Sequence, residues 1–387
     1  MTSRPALSSR AANIPPFHVM ELLARAHALQ SAGHDIIHME VGEPDFPTPP
    51  PIIAAAQRFL AGGDVRYTQA TGLPELRDAI FRFYRTRMNA NVPPHRIIIT
   101  AGASAALLLA IAALTDPGDE WLLTDPGYPC NRQFIQACNG VPRALQVEAG
   151  TNYQPEASQI RQAWSEHSKG LLVASPANPT GALISAPEVE MMNGLMQELG
   201  GTLIVDEIYQ GLVYDTKASS VLAQHDNVFV VNSFSKYFGM TGWRLGWLVV
   251  PEGYERHVEK LAQHLYIAAS TPAQHAALAA FTPECIGLLE ERRALFARRR
   301  DLLVRELPGL GFRIHRQPEG AFYIYANTSE LTSNSQDLAL RLLEKGFVAA
   351  TPGADFGDWK SDQHLRLAYT TSEERLMEAL TRIRSCL

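Results

Sequence analysis

Short apolar runs alternate with helical patterns through the middle of the chain, between about residue 96 and residue 250. Most runs are rich in Val, Ile or Leu and are bounded by Gly, Pro, Asp or Asn, which is typical of buried strands. Strands are predicted at residues 96–100, 121–123, 170–174, 202–205 and 228–231, with a further strand after Trp247 that ends at Pro251. Strands that alternate with helices favour an α/β fold, with a mostly parallel sheet and helices on both faces.

The two ends of the chain follow another pattern. Near the N-terminus, Pro15-Pro16 could open a helix that continues at helical spacing to Leu29, and residues 36–41 predict a short strand. In the C-terminal third, helices are predicted at residues 284–307, 335–345 and from residue 373 on, and short strands at residues 312–314, 320–325, 347–350 and 365–369. We expect both ends to fold together as a smaller α+β domain. The predicted boundaries are residues 1–46 and 290–387 for this domain and residues 47–289 for the larger one.

Length and composition narrow the function classes. A chain of 387 residues is long enough for two domains, and its net charge of -6 gives no argument for nucleic-acid binding. No apolar run approaches the roughly 18 residues of a membrane span, and residues 101–114 predict a buried helix instead. The four cysteines form no CxxC pair and the 12 histidines show no ligand spacing, so no metal site is predicted. Together with an N-terminus that lacks a signal-peptide pattern, this predicts a cytoplasmic protein.

The turn after the predicted strand at residues 96–100 has the character of an anion site. Gly102, Ala103 and Ser104 open the long apolar helix that follows it. The first N–H groups of a helix have no partner within the helix, and its dipole is positive at that end, so a phosphate would fit there. A tight turn between strand and helix would use the same residues, and this segment alone leaves both interpretations open.

Two charged residues follow predicted strands and would face the crevice where α/β sheets bind ligands. Asp206 ends the strand at residues 202–205, and a buried aspartate needs a partner. Lys236 comes soon after the strand at residues 228–231, among small residues and glycines. A lysine held away from water loses its charge readily and becomes a nucleophile for carbonyl groups. A lysine in an exposed glycine-rich loop is the simpler interpretation when the residue is considered alone.

The segment SFSKYFGMTGWRLG, residues 233–246, resembles the cofactor-lysine segment of the class I/II aminotransferases. These enzymes use pyridoxal phosphate (PLP) on fold type I. Further segments similar to that family are VGEPDFPTP, YTQATGLPELR, DPGYP, ANPTG, VDEIY and HLRLAYT. They run from Val41 to Arg366 and so cover nearly the whole chain. The resemblance implies a fold type I PLP-dependent transferase, with a mostly parallel mixed sheet in a large domain and a smaller α+β domain.

The resemblance also implies how each matching residue would hold the cofactor. Lys236 would form the Schiff base with PLP, and Asp206 would bind the protonated pyridine nitrogen. The ring of Tyr128 would lie over the cofactor, and Asn178 and Tyr209 would bind its phenolic oxygen. The phosphate would be held by Gly102, Ala103, Ser104, Arg244, one or both of Ser233 and Ser235, and Tyr67 of the neighbouring subunit.

For the substrate, the resemblance implies that the backbone near Gly42 approaches the α-carboxylate and that Arg366 clamps it, with Asn178 alongside. An arginine suits this role because its planar fork matches a carboxylate with two parallel hydrogen bonds. Taken singly, the loop residues are more typical of turns and packing, and a strand arginine is more typical of a surface ion pair. The use of Tyr67 by a neighbouring subunit implies a homodimer.

The function implied is transamination, which moves an amino group from an L-amino acid to a 2-oxo acid in two half-reactions, with Lys236 as the proton carrier. A PLP-dependent carbon–sulfur β-lyase or related synthase would share every cofactor residue and is the alternative. A hydrolase is less favoured because GASAA has Ala106 where a nucleophile elbow has glycine. A non-catalytic regulator would carry an added DNA-binding domain, and no such segment is recognisable.

The donor and acceptor are not identified, although residues 14–17 could line an apolar pocket for alanine, aromatic or broad substrates.

Overall fold

The structure, a computed structural model, describes residues 7–8, 11–12, 14 and 18–387, with the backbone alone for His18. The first long helix, α1 (His18–Ser31), is described from His18 on, so its predicted opening at Pro15-Pro16 lies outside the described residues. The proposed pocket wall at residues 15–17 lies outside them as well. Helix α1 is followed by the two-residue strand β1 (Ile37–His38), within the segment predicted as a strand.

In the part of the chain that the structure describes, seven strands form one large sheet. They are β2 (Ile97–Thr100), β3 (Glu120–Asp125), β4 (Val141–Gln146), β5 (Ser168–Ala174), β6 (Thr202–Asp206), β7 (Phe229–Ser233) and β8 (Gly246–Val249). Their order in space is β2-β8-β7-β6-β5-β3-β4. Among these described strands, β8 alone runs antiparallel to its neighbours, and the other adjacent pairs are parallel. The sheet is therefore mixed and mostly parallel, which confirms the predicted fold class.

Alternate side chains of the strands point to opposite faces of the sheet, and helices pack against both faces. The helices between β1 and the C-terminal part are α2 (Pro50–Ala61), α3 (Pro74–Arg87), α4 (Gly102–Leu114), α5 (Cys130–Ala137), α6 (Ala157–Ala163), α7 (Ala186–Leu199), α8 (Glu255–Leu265) and α9 (Thr271–Ala277). On one face, Leu248 packs in a cluster with Leu107 of α4 and Val258 of α8. On the other face, Val205 belongs to a cluster that contains Met192 of α7. Burial on both faces explains why the central strands are continuous apolar runs.

The smaller part of the molecule combines both ends of the chain. Its further elements are β9 (Tyr323–Asn327), β10 (Val348–Ala349), β11 (Thr351–Pro352), β12 (His364–Ala368), α10 (Pro283–Glu306), α11 (Ser335–Gly346) and α12 (Glu373–Cys386). Strand β1 pairs in parallel with β10, and β11, β12 and β9 form an antiparallel sheet in that order. The domain boundaries after residues 46 and 289 stay a prediction, and α10 runs across the second of them. No helix of the described chain combines the length and apolar character that a membrane span requires.

The predicted strands differ from the structure at two places. In both, the apolar pattern of the sequence follows burial and not strand pairing. Residues 312–314 were predicted as a strand, but Arg313 makes only an isolated antiparallel bridge with Asn327. Phe312 packs in the core, so the apolar residue at this position indicates burial and does not indicate hydrogen bonding to a neighbouring strand. Strand β4 was not predicted, because it lies at the edge of the sheet and is mostly exposed. A short apolar run indicates that a segment is buried. It forms a strand only where another strand lies alongside to pair with it.

Candidate active site

A cavity of about 250 Å³ opens at the carboxyl ends of the parallel strands. Ala174 at the end of β5 and Asp206 at the end of β6 line it, together with Ser235 and Lys236, which follow β7. The carboxyl ends of parallel strands meet at one edge of a sheet, so residues far apart in sequence face one crevice. Most of the predicted site residues line this cavity, namely Gly42, Ala103, Ser104, Tyr128, Asn178, Asp206, Tyr209, Ser235, Lys236, Arg244 and Arg366.

Three predicted site residues lie outside the cavity wall. Gly102 is the first residue of α4, directly behind the wall residues Ala103 and Ser104. Ser233 is buried at the end of β7. Tyr67 is 82% exposed, as is expected of a residue whose predicted role concerns the site of a neighbouring subunit.

Lys236 is held by a backbone group from another segment of the cavity wall. Its Nζ donates a hydrogen bond of 2.6 Å to the carbonyl oxygen of Gly42. Burial lowers the pKa of Lys236 to about 8; the carboxylate of Glu43 opposes this shift, and the charge of Arg366 adds to it. A lysine with this pKa is partly neutral at neutral pH, so its nitrogen can attack a carbonyl carbon.

Asp206 ends a buried strand and is itself almost fully buried. Burial raises its pKa to about 6, whereas a hydrogen bond from the Ile208 backbone N–H and the charge of Lys236 lower it. The Ile208 N–H lies 3.0 Å from Oδ1. A buried carboxylate with a raised pKa stays ionised at neutral pH most readily when a cationic group faces it. The geometry therefore suits a protonated ring nitrogen of a bound molecule.

The N-terminus of α4 and Arg244 form the anion-binding end of the cavity. Gly102 has a φ of +83°, which L side chains rarely adopt, and a Cβ there would lie 2.7 Å from Arg244 Nη2. The guanidinium thus lies against the first turn of a helix of 13 residues, where unpaired backbone N–H groups and the helix dipole already favour an anion. Arg244 Nη1 donates a hydrogen bond of 3.1 Å to the carbonyl of Thr241, which orients the side chain.

Ser233 and Ser235 have different environments, although the sequence allows either to contact a phosphate. The hydroxyl of Ser233 accepts a hydrogen bond from the Ser235 backbone N–H at 3.0 Å and lies 3.0 Å from the carbonyl of Leu245. The two hydroxyl oxygens are 2.9 Å apart. Ser235 lines the cavity and Ser233 does not. Ser233 is therefore a support for the loop, and Ser235 is the serine available to a ligand.

Tyr323 is a functional candidate that the sequence analysis missed. Its hydroxyl lies 2.7 Å from the hydroxyl of Tyr209, and both residues line the cavity. A Cβ on Gly42 would come within 2.0 Å of the Tyr323 hydroxyl, so any larger residue at position 42 would displace Tyr323. Burial raises the pKa of Tyr209 well above its ordinary value, so its hydroxyl remains a proton donor. Tyr323 lies within the segment 320–325 that was predicted as a strand, and no motif marks it.

Arg366 is a buried cation held in a fixed position. Its Nη1 donates a hydrogen bond of 2.9 Å to Asn178 Oδ1, and Nη2 donates to the carbonyl of Glu40. Its guanidinium carbon lies 4.3 Å from the ring centroid of Tyr323 and 4.8 Å from that of Phe356. Its Nε is buried and makes no hydrogen bond within the described chain. A guanidinium enclosed in this way is preorganised to bind a carboxylate in one orientation.

The remaining wall of the cavity comes partly from neighbours of the quoted motif residues and partly from segments that carry no sequence motif. It contains Val19, Met20, Leu23, Glu40, Val41, Leu107, Pro129, Pro176, Ile208, Thr241, Asp355 and Phe356. Helix α1 supplies the first three, and the 3-10 turn at Gly353–Asp355 with the residue after it supplies the last two. Only folding brings these segments together, so spacing along the chain could not identify them.

A possible metal-binding group lies away from this cavity. Among the described residues, His95, Glu252 and Glu255 each offer one ligand atom, and these atoms lie within 4.8 Å of one another. The group was not visible as a ligand spacing in the sequence, because His95 is more than 150 residues from the two glutamates. None of the three lines the cavity.

A sequence model of the family described as aminotransferase class I and II matches residues 34–383, so the chain belongs to this family. It is a PLP-dependent aminotransferase, an enzyme that transfers an amino group between an amino acid and a 2-oxo acid. This confirms the predicted family, activity and cofactor. The β-lyase alternative is not favoured, because the relatives and the solved structure described below are aminotransferases.

Individual relatives are similar along almost their whole length. The chain is 37% identical over 389 residues to a valine–pyruvate aminotransferase of Mycobacterium tuberculosis, covering 100% of this chain and 99% of the relative. It is 36% identical over 384 residues to the (5-formylfuran-3-yl)methyl phosphate transaminase of Methanocaldococcus jannaschii, covering 98% and 99%. A crystal structure of an aminotransferase from Mycobacterium tuberculosis matches with a TM-score of 0.94 and 37% identity, over 99% of each chain. The two named relatives act on different substrates, so similarity alone does not transfer a side-chain specificity.

The groups of the cavity fit PLP one by one. Arg244 and the N-terminus of α4 would face a phosphate dianion, and Asp206 would face a protonated ring nitrogen. Lys236, with its lowered pKa, would face the aldehyde carbon. The missing side chain at Gly102 leaves the space beside Arg244 that a phosphate oxygen requires. Charge and shape are therefore consistent with the cofactor of the family.

Proposed function

We propose that Lys236 binds the cofactor covalently and then carries a proton between the substrate Cα and the C4′ atom of the cofactor. The supporting observation is the position of its Nζ, 2.6 Å from the carbonyl of Gly42, together with a pKa lowered by burial to about 8. When bound, PLP supplies an electron sink for the negative charge that develops at the substrate Cα. A lysine with this pKa can both accept and donate a proton near neutral pH.

Asp206 is proposed to keep the ring nitrogen protonated. Its carboxylate is fixed by the Ile208 N–H and lies in a buried position where its negative charge needs a cation. A charge-assisted hydrogen bond to the ring nitrogen would satisfy both groups. Asn178 and Tyr209, which line the same cavity, would bind the phenolic oxygen. Tyr128, which lines the same cavity, would cover one face of the ring.

The phosphate is proposed to bind at the N-terminus of α4. Gly102, Ala103 and Ser104 would present backbone N–H groups, and Arg244 would add the positive charge. Ser235 would donate its hydroxyl, and Ser233 would hold Ser235 in place through the hydrogen bonds between them. Tyr67 would complete the cup from a neighbouring subunit.

Arg366 is proposed to grip the substrate α-carboxylate. Its contacts to Asn178 and to the carbonyl of Glu40 fix one edge of the guanidinium, and its Nε has no hydrogen-bond partner in the described chain. The backbone near Gly42 would approach the same carboxylate. Binding the α-carboxylate at a fixed site orients the Cα–H bond towards Lys236, which is how positioning lowers the barrier to proton transfer.

The assembly and location are proposed at a coarser level. We infer a homodimer in which Tyr67, 82% exposed in the single chain, is covered by the partner and reaches its active site. All four cysteines lie in the described residues, and none of them forms a disulfide. A cytoplasmic location remains a prediction from their pattern.

The covalent role of Lys236 is tested by borohydride reduction of the loaded enzyme, followed by peptide mapping. The cofactor is expected on Lys236, and a cofactor fixed on Lys217 or Lys260 would contradict the assignment.

The reaction type is tested by adding an amino donor without any 2-oxo acid. The long-wavelength absorbance should disappear with release of one equivalent of 2-oxo acid per site, and a 2-oxo acid should restore it. Continuous release of ammonia and pyruvate from a β-substituted amino acid would identify a β-lyase instead.

A further inference from the structure

Within this chain, the described residues of the cavity wall leave no cation for an acidic substrate side chain. Among the described wall residues, three are cationic: Lys236, Arg244 and Arg366. Under the proposed function, on which this inference rests, each already has a partner: the aldehyde carbon of the cofactor, its phosphate, and the substrate α-carboxylate. Arg132 of α5, a further cation on an adjoining element, lies outside the wall and pairs with Asp125 at 2.9 Å.

One part of the wall near Arg366 is apolar. Phe356 contacts the guanidinium of Arg366, with 4.8 Å between the guanidinium carbon and the ring centroid. The residue before it, Asp355, accepts a hydrogen bond of 3.3 Å from the backbone N–H of Val19 at the start of α1. This contact holds α1 near Arg366, so that Val19 and Leu23 line the cavity together with Phe356. A substrate whose α-carboxylate is bound by Arg366 therefore directs its side chain towards apolar surface.

Two buried carboxylates border the same region. Glu40 is 0% exposed; its Oε1 pairs with His38 Nδ1 at 2.6 Å, and its Oε2 has no hydrogen-bond partner within the described chain. The Glu40 carbonyl also accepts a hydrogen bond from Arg366, so this residue is adjacent to the clamp. Asp355 is 6% exposed. A buried negative group such as the Glu40 carboxylate repels a second carboxylate on a ligand, because burial weakens the screening of its charge.

We propose that this end of the cavity is a side-chain subsite for neutral, mainly apolar amino acids, and that it discriminates against aspartate and glutamate. Val19, Leu23 and Phe356 contact the side chain, Asp355 holds α1 in place through Val19, and Glu40 excludes anionic side chains. An apolar side chain gains free energy by leaving water for this surface. A carboxylate transferred to the same surface would lose its hydration without meeting a cation.

The first test compares amino donors in the half-reaction of the loaded enzyme. Leucine, methionine and phenylalanine are expected to remove the long-wavelength absorbance with second-order rate constants at least about 100-fold above those of aspartate and glutamate, the scale of an unpaired polar group in a binding site. Aspartate or glutamate reacting within tenfold of leucine would overturn the proposal. Failure of every amino acid to react would instead contradict the proposed function, so the two failures are distinguishable.

A second test measures binding without turnover. Maleate and 4-methylpentanoate both carry a carboxylate for Arg366 but cannot donate an amino group. Each is titrated into the loaded enzyme, and its dissociation constant is read from the change in cofactor absorbance. We expect 4-methylpentanoate to bind at least about tenfold more tightly, because its isopropyl end leaves water and maleate presents a second charge. Tighter binding of maleate would overturn the proposal.

A charge placed in the subsite should change the preference. Met20 on α1 lines the cavity and is 54% exposed, so Met20→Arg adds a cation without disturbing the core. The rate constant for aspartate relative to leucine is expected to rise at least about tenfold. Met377→Arg is the matched control, since Met377 is 46% exposed on α12 and lies outside the wall. An unchanged ratio in Met20→Arg, or an equal rise in Met377→Arg, would contradict the proposed subsite.

Discussion

At the cofactor end of the cavity, Asp206, Lys236 and Arg244 each lie within about three residues of a strand end of the large sheet. At the substrate end, the wall comes from α1, the loop after β1 and the turn before β12, joined by long-range contacts such as that between Val19 and Asp355. The first end is positioned by sheet geometry, and the second by the packing of the two chain ends. We therefore expect changes at the cofactor end to affect the reaction of every substrate, and changes at the substrate end to alter which substrate reacts.

The largest effect is expected from Lys236→Ala. Loss of both the covalent attachment and the proton carrier should lower the rate of the half-reaction at least about 10⁴-fold for all donors. PLP should still bind through the remaining groups, which is measured by equilibrium dialysis. Lys260→Ala on the exposed side of α8 is the control and should react like the unchanged enzyme. A residual rate within 100-fold would show that another group carries the proton.

Asp206→Asn should lower the rate by about 100-fold, again for every donor. The substitution keeps the shape but cannot stabilise a proton on the ring nitrogen, so the electron sink weakens. Rapid mixing of the loaded variant with leucine and with aspartate measures both rates. Asp116→Asn at an exposed turn serves as the control. A loss confined to one donor would break the comparison between the two ends, because Asp206 would then act on substrate selection.

This difference also explains how far the sequence could predict the molecule. Asp206 and Lys236 follow apolar runs whose burial fixes where the strands end, so their place at the edge of the sheet could be inferred. Their motifs are also contiguous. Tyr323 and Asp355 could not be inferred in the same way, because their function depends on contacts with Tyr209 and Val19, which are more than 100 residues away. The side-chain subsite therefore required the folded chain.

The lowered pKa of Lys236 gives a prediction for cofactor loading. The neutral amine is the nucleophile, so the rate at which the PLP-free enzyme forms its long-wavelength absorbance should rise about tenfold per pH unit below about pH 8 and level off above it. With an ordinary lysine, whose pKa is about 10.4, the loading rate would continue to rise up to about that pH. Stopped-flow absorbance between about pH 6 and pH 10 measures the profile. A rate still rising steeply above pH 9 would show that burial does not lower the pKa of this lysine.

Tyr323 connects the two ends, since its hydroxyl contacts Tyr209 and its ring lies under Arg366. Removing one neutral hydrogen bond is worth about 1 kcal/mol, so Tyr323→Phe should slow the half-reaction about fivefold. Because the ring remains under Arg366, the preference between leucine and aspartate should not change. The pH at which the cofactor absorbance shifts should move, because Tyr209 loses the partner that orients its proton.

Tyr325→Phe provides a matched control for this substitution. Tyr325 lies two residues further along β9, is also buried and does not line the cavity. Its loss of a hydroxyl should leave both the rate and the absorbance profile unchanged. If Tyr323→Phe altered donor preference while leaving the maximal rate and the absorbance profile intact, Tyr323 would belong to the substrate end. An effect on the rate of every donor, with an unchanged preference, assigns its hydroxyl to the cofactor end, because the hydroxyl then acts through Tyr209 and the ring alone supports Arg366.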